Sequence, residues 1–440
     1  GCLAAALDRS GEGGRVFLEL DPGKIIGVAR ALDAAVAAGH PGGSLAGVPI
    51  AIKDAFDVAG ERTGAGSLIL ARRPPATRDA TVVARLRAAG AIPFGRTNMS
   101  EFGYSSVGLN PHYDTPRNPC DRVTPRIPGG STSGGAVAVA DGMALAAIGT
   151  DTGGSCRIPA ALTGLAGYRP TPGRIPLDGV VPLAPSYDSA GAIGRSVRCL
   201  AHLDAVLAAE PVRPLVPAPA RGLRVGVLDG GFLEDLEPAV ASAFAAALAA
   251  LGEAGTTVSR TRLACEPLFA ALGRGGGIVA AEAFHWHRDL LAEEGAAYDR
   301  RVRSSLLAGR RLSASDYIGF VERRAALVAA YAEETKDADV VVLPTVPTLA
   351  PPIASLERDE DYRRVDALLL RNPSIANVLG IPSISLPMPT SGGAPAGLML
   401  LGRAGGDRRL FEIAAAFEDL LQAPSATRPP PADRSSPIRV

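Results

Sequence analysis

Two serines stand in glycine-rich turns, Ser131 in GGSTSGG and Ser155 in GTDTGGSCRIPA, with an alanine-rich apolar segment between them. Glycine lets successive backbone N–H groups converge on one point, which an oxyanion formed by attack on a carbonyl requires. The residue types therefore point to acyl chemistry at a serine hydroxyl. Such a hydroxyl is a poor nucleophile until a histidine, a lysine or an N-terminal amine takes its proton. None of the five histidines, His40, His112, His202, His285 and His287, sits in a glycine-rich or strand-end context that would aim it at a serine. On the helix expected there, His285 and His287 face different ways and read as packing residues. Neither serine sits in a G-x-S-x-G elbow, since Ser155 is followed by Cys156 and Arg157, and no lysine has a serine three residues before it.

A distant lysine remains, and lysine is rare here: of 45 basic residues only Lys24, Lys53 and Lys336 are not arginine. Lys53 lies in GVPIAIKDAF, whose apolar run reads as the end of a buried strand. An ammonium in such surroundings sheds its proton more easily, which an arginine guanidinium does not do. Taken alone, Lys53 reads equally well as a side chain snorkelling to water or pairing with Asp54. Joined to two serines it reads as a general base. Ser131 would then accept from one neighbour and donate to the other, carrying a proton between Ser155 and Lys53. Cys156 reads as a small buried packing residue, because nothing nearby in sequence offers a histidine to activate its thiol. Arg157 is a candidate for orienting a substrate carboxylate, with an ion pair that holds the loop as the competing reading. Asp151 reads as the cap of the glycine turn, or as a charge that steers substrate.

These segments, together with GVPIAIKD upstream, resemble the amidase signature family. The likeness extends through DATVVARLRAAGAIPFGRTNMSEFGYSS (79–106), GLAGYRPTPGRIPLDGVVPLAPSYDSAGAIGRSV (164–197), DADVVVLPTVPTLAPP and NPSIANVLGIPSISLPM, and so covers most of the chain. The resemblance implies a Ser-Ser-Lys triad: Ser155 as nucleophile, Ser131 as bridging serine on a cis peptide after Gly130, and Lys53 as base. It puts the oxyanion hole on the backbone amides of Thr152, Gly153, Gly154 and Ser155. Arg169 stands where many relatives carry lysine and is expected to touch nothing catalytic. Gly130, Met99 and Arg157 are the substrate-binding candidates. Phe102, Tyr104, residues 177–183 and Trp286 are further candidates for pocket walls, with core packing as the competing role.

The elements that must position these residues follow from hydrophobic period. Runs 26–38 and 80–89 read as amphipathic helices, and 48–52 and 91–94 as short buried strands. Residues 237–252 and 313–334 read as two further helices. This alternation predicts an α/β fold. The expected architecture is a single large amidase-signature domain over 1–422, with a mixed, mostly parallel twisted sheet covered by helices on both faces. Within it, 45–200 is read as the catalytic core, 210–221 as a proline-rich crossover without regular structure, and 222–422 as a helical and C-terminal sheet part. The tail 423–440 is read as flexible.

Composition narrows the function classes. Across 440 residues, 45 acidic side chains balance 45 basic ones, which leaves no electrostatic footprint for nucleic acid or an anionic membrane. Five scattered cysteines argue against a disulfide framework or a C-x-x-C metal site and favour a reducing, cytoplasmic setting. No apolar run reaches the roughly 18 to 20 residues of a spanning helix. No signal peptide is read, although the chain opens GCLAAALDRS without a methionine. No G-K-[ST] phosphate loop is present. The expectation is therefore an enzyme without metal or organic cofactor, acting on a small-molecule amide, with a homodimer as the expected assembly. The leading reading is hydrolysis of a carboxylic amide to acid plus ammonia or amine. The runner-up is a glutaminase (A) component of a tRNA-dependent amidotransferase, delivering ammonia to a partner. A third is a catalytically inactive binding protein on the same scaffold, against which the intact set Lys53, Ser131 and Ser155 speaks.

Overall fold

Short, mostly apolar runs form eleven strands in the computed structural model, which describes residues 1–8, 12–40, 42–273 and 276–422. They are β1 (Phe17–Glu19), β2 (Pro49–Lys53), β3 (Ile92–Thr97), β4 (Ala146–Thr150), β5 (Ala166–Arg169) and β6 (Ala190–Gly194), followed by β7 (Arg224–Leu228), β8 (Thr257–Thr261), β9 (Val340–Pro344), β10 (Ser383–Met388) and β11 (Ala396–Leu401). All join one sheet in the order β1-β3-β2-β4-β6-β5-β10-β11-β9-β7-β8. The tail expected to be flexible lies outside the described residues.

The sheet is mixed. Parallel pairing is confined to two blocks, β3-β2-β4 and β9-β7-β8, and the strands between and beyond them pair antiparallel. Connection length sets the sense of two pairs. The short link between β10 and β11 can only reverse the chain, whereas β2 reaches β3 through a long crossover containing the helix Thr81–Ala88.

Because side chains alternate across a strand, each strand serves two cores. Ile50 and Ile52 of β2, with Ala146 and Ile148 of β4, join the core under the helices Thr81–Ala88, Val197–Ala208, Pro238–Glu253 and Asp407–Gln422. Ala51 and Ala147 point the other way, into a core shared with the helix Ser133–Ala140. Helices therefore cover both faces, making a single α/β domain. The helix Ser133–Ala140 sits unusually close to its neighbours. A Cβ on Gly134 would lie 2.6 Å from Val16 O and 2.7 Å from Asn98 N. This approach brings the residues just before that helix to the ends of β2 and β4.

Local boundaries follow capping chemistry. The helix read at 26–38 begins earlier, as Pro22–Ala37, because Asp21 accepts from Lys24 N and Pro22 occupies the first turn. The helix read at 313–334 runs Ala314–Glu334 behind a capping box of Ser313 and Asp316. Segment 210–221 carries no regular structure and links the helix Val197–Ala208 to β7.

Candidate active site

Lys53 is the last residue of β2 and is fully buried. Its Nζ donates to Ser131 Oγ at 2.8 Å and to Thr150 Oγ1, at the end of β4, at 2.6 Å. Burial pushes its pKa down from 10.5 to about 8, against the opposing pull of Cys156, Asp151 and Asp188. The ends of two adjacent parallel strands thus hold a lysine close to its neutral form. Parallel strand ends are where α/β sheets usually build sites.

Ser131 follows a cis peptide from Gly130. The backbone laces its turn to that of Ser155: Thr132 N donates to Ser155 O at 3.2 Å, and Ser100 N donates to Ser131 O at 3.2 Å. Ser155 stands two residues before the helix Arg157–Thr163. Its turn depends on Gly154, whose φ is +123° and where a Cβ would meet Pro373 Cβ at 2.4 Å.

Asp151 ties that turn together. Its Oδ1 accepts from Gly154 N at 3.0 Å and its Oδ2 from Cys156 N at 3.1 Å. Arg157 grips the same carboxylate with both arms, at 2.8 and 3.1 Å, and Asn377 Nδ2 adds a bond at 3.0 Å. Burial alone would raise the Asp151 pKa, but Arg157, Arg169 and Asn377 outweigh it and hold the carboxyl well below its usual range. Capping the glycine turn is what Asp151 does here.

A cavity of about 680 Å³ opens in front of Ser155, Thr152 and Gly153. Its walls are largely apolar, with Leu183, Tyr187, Phe232, Phe269, Ile278 and Leu370 among them. Lys53 and Ser131 do not line it. Thr152 Oγ1 donates to Asp188 Oδ1 at 2.5 Å, and Asp188 also accepts from the amides of Leu183 and Ala184. Burial raises the pKa of Asp188, with these donors opposing it.

The chain matches the Amidase family over residues 8–411. It belongs to that family. It is 36% identical over 401 residues to 2-amino-5-chloromuconic acid deaminase of Comamonas testosteroni, covering 89% of this chain and 86% of that protein. It is 34% identical over 440 residues to the A component of the glutamyl-tRNA(Gln) amidotransferase of Roseiflexus sp. (strain RS-1), covering 92% and 88%. A crystal structure of an amidase superposes with a TM-score of 0.85 at 35% identity, covering 96% of this chain and 95% of the other. The protein is an amidase-family hydrolase acting on the C–N bonds of amides.

Several residues of this amidase sit differently from their sequence reading. Gly154 leaves the expected set of oxyanion donors, because its N–H is committed to Asp151 in closing the turn. The amides of Thr152, Gly153 and Ser155 carry no partner among the described residues, and all three residues line the cavity. Arg157 is not a substrate-carboxylate ligand: it is fully buried, and its guanidinium is consumed by Asp151, Pro373 O and Asn377. Gly130 and Met99 are buried away from the cavity wall. Arg169, read as remote from the chemistry, lies 3.8 Å from Asp151 and so braces the Ser155 turn.

Of the other wall candidates, Tyr104 and Leu183 line the cavity. Phe102 and Trp286 instead pack edge to face, beside His287. His287 bonds Tyr298 through Nδ1 at 2.9 Å, and burial pushes its pKa down to about 3, as suits a packing histidine. Cys156 is fully buried, with its thiol pushed up to about 12 by burial and by Asp151. Sequence reading missed Thr150, Asp188, Asn377 and Asp366. Only Thr150 carried a local signal, as a hydroxyl at a strand end just before the glycine turn.

Proposed function

We propose that this amidase hydrolyses a carboxylic acid amide through an acyl-enzyme on Ser155, with Ser131 relaying the proton to Lys53. The observation that carries the reading is the 2.8 Å bond from Lys53 Nζ to Ser131 Oγ, made by a fully buried lysine whose pKa is about 8. Near neutral pH a useful fraction of that amine is unprotonated and able to act as a base. Ser155 Oγ attacks the amide carbon, and its proton passes to Ser131 while the Ser131 proton passes to Lys53. The unpaired amides of Thr152, Gly153 and Ser155 face the oxygen that gains charge. Collapse breaks the C–N bond, and the leaving nitrogen takes a proton back through the same relay. Water then attacks the ester, losing its proton along that route, and frees the acid and Ser155.

The test is ammonia release by the purified chain across aliphatic, aryl and amino-acid amides, with covalent labelling by a fluorophosphonate located by mass spectrometry. Turnover of a simple amide that disappears in Ser155→Ala, with the label on Ser155, supports the reading. A label elsewhere, or turnover that survives Ser155→Ala, overturns it. The likeness to the A component of the amidotransferase favours a second reading, in which glutamine is the amide and ammonia passes to a partner protein. Glutamine turnover that appears only when such a partner is added would select it.

A further inference from the structure

Asp366, on the helix Asp359–Arg371, lines the cavity in front of Ser155. Its Oδ1 is crowded with donors: Ser106 N at 2.8 Å, Ser106 Oγ at 2.7 Å and Ser105 Oγ at 3.1 Å. Tyr362 OH fixes Ser105 in turn at 2.6 Å. Three donors on one oxygen favour the anionic carboxylate and lock its orientation. Among the described residues, Asp366 Oδ2 by contrast has no hydrogen-bond partner, and the carboxylate makes no ion pair. The buried carboxylates nearby use both oxygens. Asp151 bonds through Oδ1 and Oδ2, and so does Asp188. Glu101 takes Ser67 and His112 on Oε1 and Asp299 N on Oε2.

Asp366 is partly buried, with one carboxylate oxygen fixed and the other left open to whatever group enters the apolar cavity. The cavity's charge points to what that ligand carries. Among the described residues, Glu234, Glu266 and Asp366 line it with one cation, Arg371, whose Nη2 is already directed at Glu234 O, 2.7 Å away. The acidic side chains described there suit a positive group.

We propose that Asp366 Oδ2 is a specificity determinant that receives a cationic N–H group on the acyl part of the substrate, so that the preferred substrates are carboxamides bearing an ammonium remote from the scissile bond. This rests on the acyl-enzyme reading of the same cavity. The apolar walls hold the intervening chain, while Ser155 and Asp366 hold its two ends. Burial raises the Asp366 pKa, and a bound ammonium would pull it back down, so ligand binding and ionisation reinforce each other.

The experiment compares ω-amino amides of increasing chain length with their uncharged methyl isosteres, in the wild type and in Asp366→Asn. The expected result is a kcat/KM ratio favouring the ammonium member at one chain length, falling by about 10- to 100-fold in Asp366→Asn. Equal loss for both members of every pair would overturn the proposal and leave Asp366 as a brace for the 105–106 segment. Calorimetric titration of the same pairs into Ser155→Ala, with and without Asp366→Asn, reads the recognition without turnover. Tighter binding of the ammonium member that depends on Asp366 supports the proposal even if the acyl-enzyme reading fails. Equal binding of charged and uncharged members overturns it even if hydrolysis at Ser155 is established.

Discussion

Lys53 Nζ makes a shorter hydrogen bond to Thr150 Oγ1, at 2.6 Å, than to Ser131 Oγ, at 2.8 Å. The difference in partners matters more than the difference in length. A neutral amine has two N–H groups and one lone pair. When Lys53 is unprotonated, Thr150 accepts one N–H and the lone pair is left to face the Ser131 hydroxyl. When Lys53 is an ammonium, it donates to both. In the proposed relay Thr150 stays an acceptor throughout the proton cycle while Ser131 exchanges roles, which would make Thr150 a positioning residue for the base.

Thr150→Val, which keeps the shape and removes the acceptor, should lower kcat/KM by about 10- to 100-fold. It should also shift the pH profile. Losing an acceptor that stabilises the ammonium drops the Lys53 pKa below its present value of about 8, so the rising limb moves to lower pH while its plateau falls. Thr150→Ser should restore both. A Thr150→Val enzyme with an unmoved limb would remove Thr150 from the mechanism.

The wild-type profile has its own expected form. Because Lys53 must be neutral to take a proton, kcat/KM should climb about tenfold per pH unit below the midpoint and level off above about 8. A buffer series at constant ionic strength measures it. Activity that is flat through this range, or that falls across it, would show that the base is another group.

How far the sequence carried the site depends on whether the cause was local. The strand end that carries Lys53 and the glycine turns that carry Ser131 and Ser155 were legible because such features are written in adjacent residues. The roles of Arg157 and Asp366 were not. Arg157 is claimed by Asn377 and Pro373, more than two hundred positions away, and Asp366 by Ser105 and Ser106. The helices at 237–252 and 313–334 were readable from their period and caps, and appear as Pro238–Glu253 and Ala314–Glu334. Strand order was not readable, because antiparallel pairing in the middle of the sheet depends on which distant strands meet.

Lys53→Met should be inactive and yet more stable. The folded pKa of about 8 lies below the ordinary 10.5, so at neutral pH both states hold the proton and the folded state bears the full cost of burying it. That cost is relieved as pH rises from about 8 toward 10.5, where only the unfolded chain remains protonated. The variant should thus gain roughly 3 kcal/mol at pH 7, shrinking across that window. Urea midpoints of both proteins over the pH range measure the difference. A variant less stable at pH 7, with no pH-dependent gain, would mean that Lys53 supports the fold rather than straining it.

Arg157→Ala should act in the opposite sense, because it leaves a buried carboxylate behind. Asp151 would keep its bonds from Gly154 N, Cys156 N and Asn377, with Arg169 as its remaining cation at 3.8 Å. Breaking one side of a buried pair costs about 3–5 kcal/mol. Since the Asp151 pKa is held well below its usual 3.8, its stabilising contribution is present above that value and lost only as pH falls through the lower folded value. Without Arg157, burial raises the Asp151 pKa, so the penalty should be full at neutral pH and shrink in acid as the variant's Asp151 takes up a proton. Arg157→Lys should not rescue it, because an ammonium cannot span both carboxylate oxygens as the guanidinium does. Loosening of the Ser155 turn should lower kcat more than it raises KM. If Arg157→Ala instead left stability unchanged and raised KM for carboxylate-bearing amides alone, the arginine would be a substrate ligand and the buried pairing with Asp151 would not be its main role.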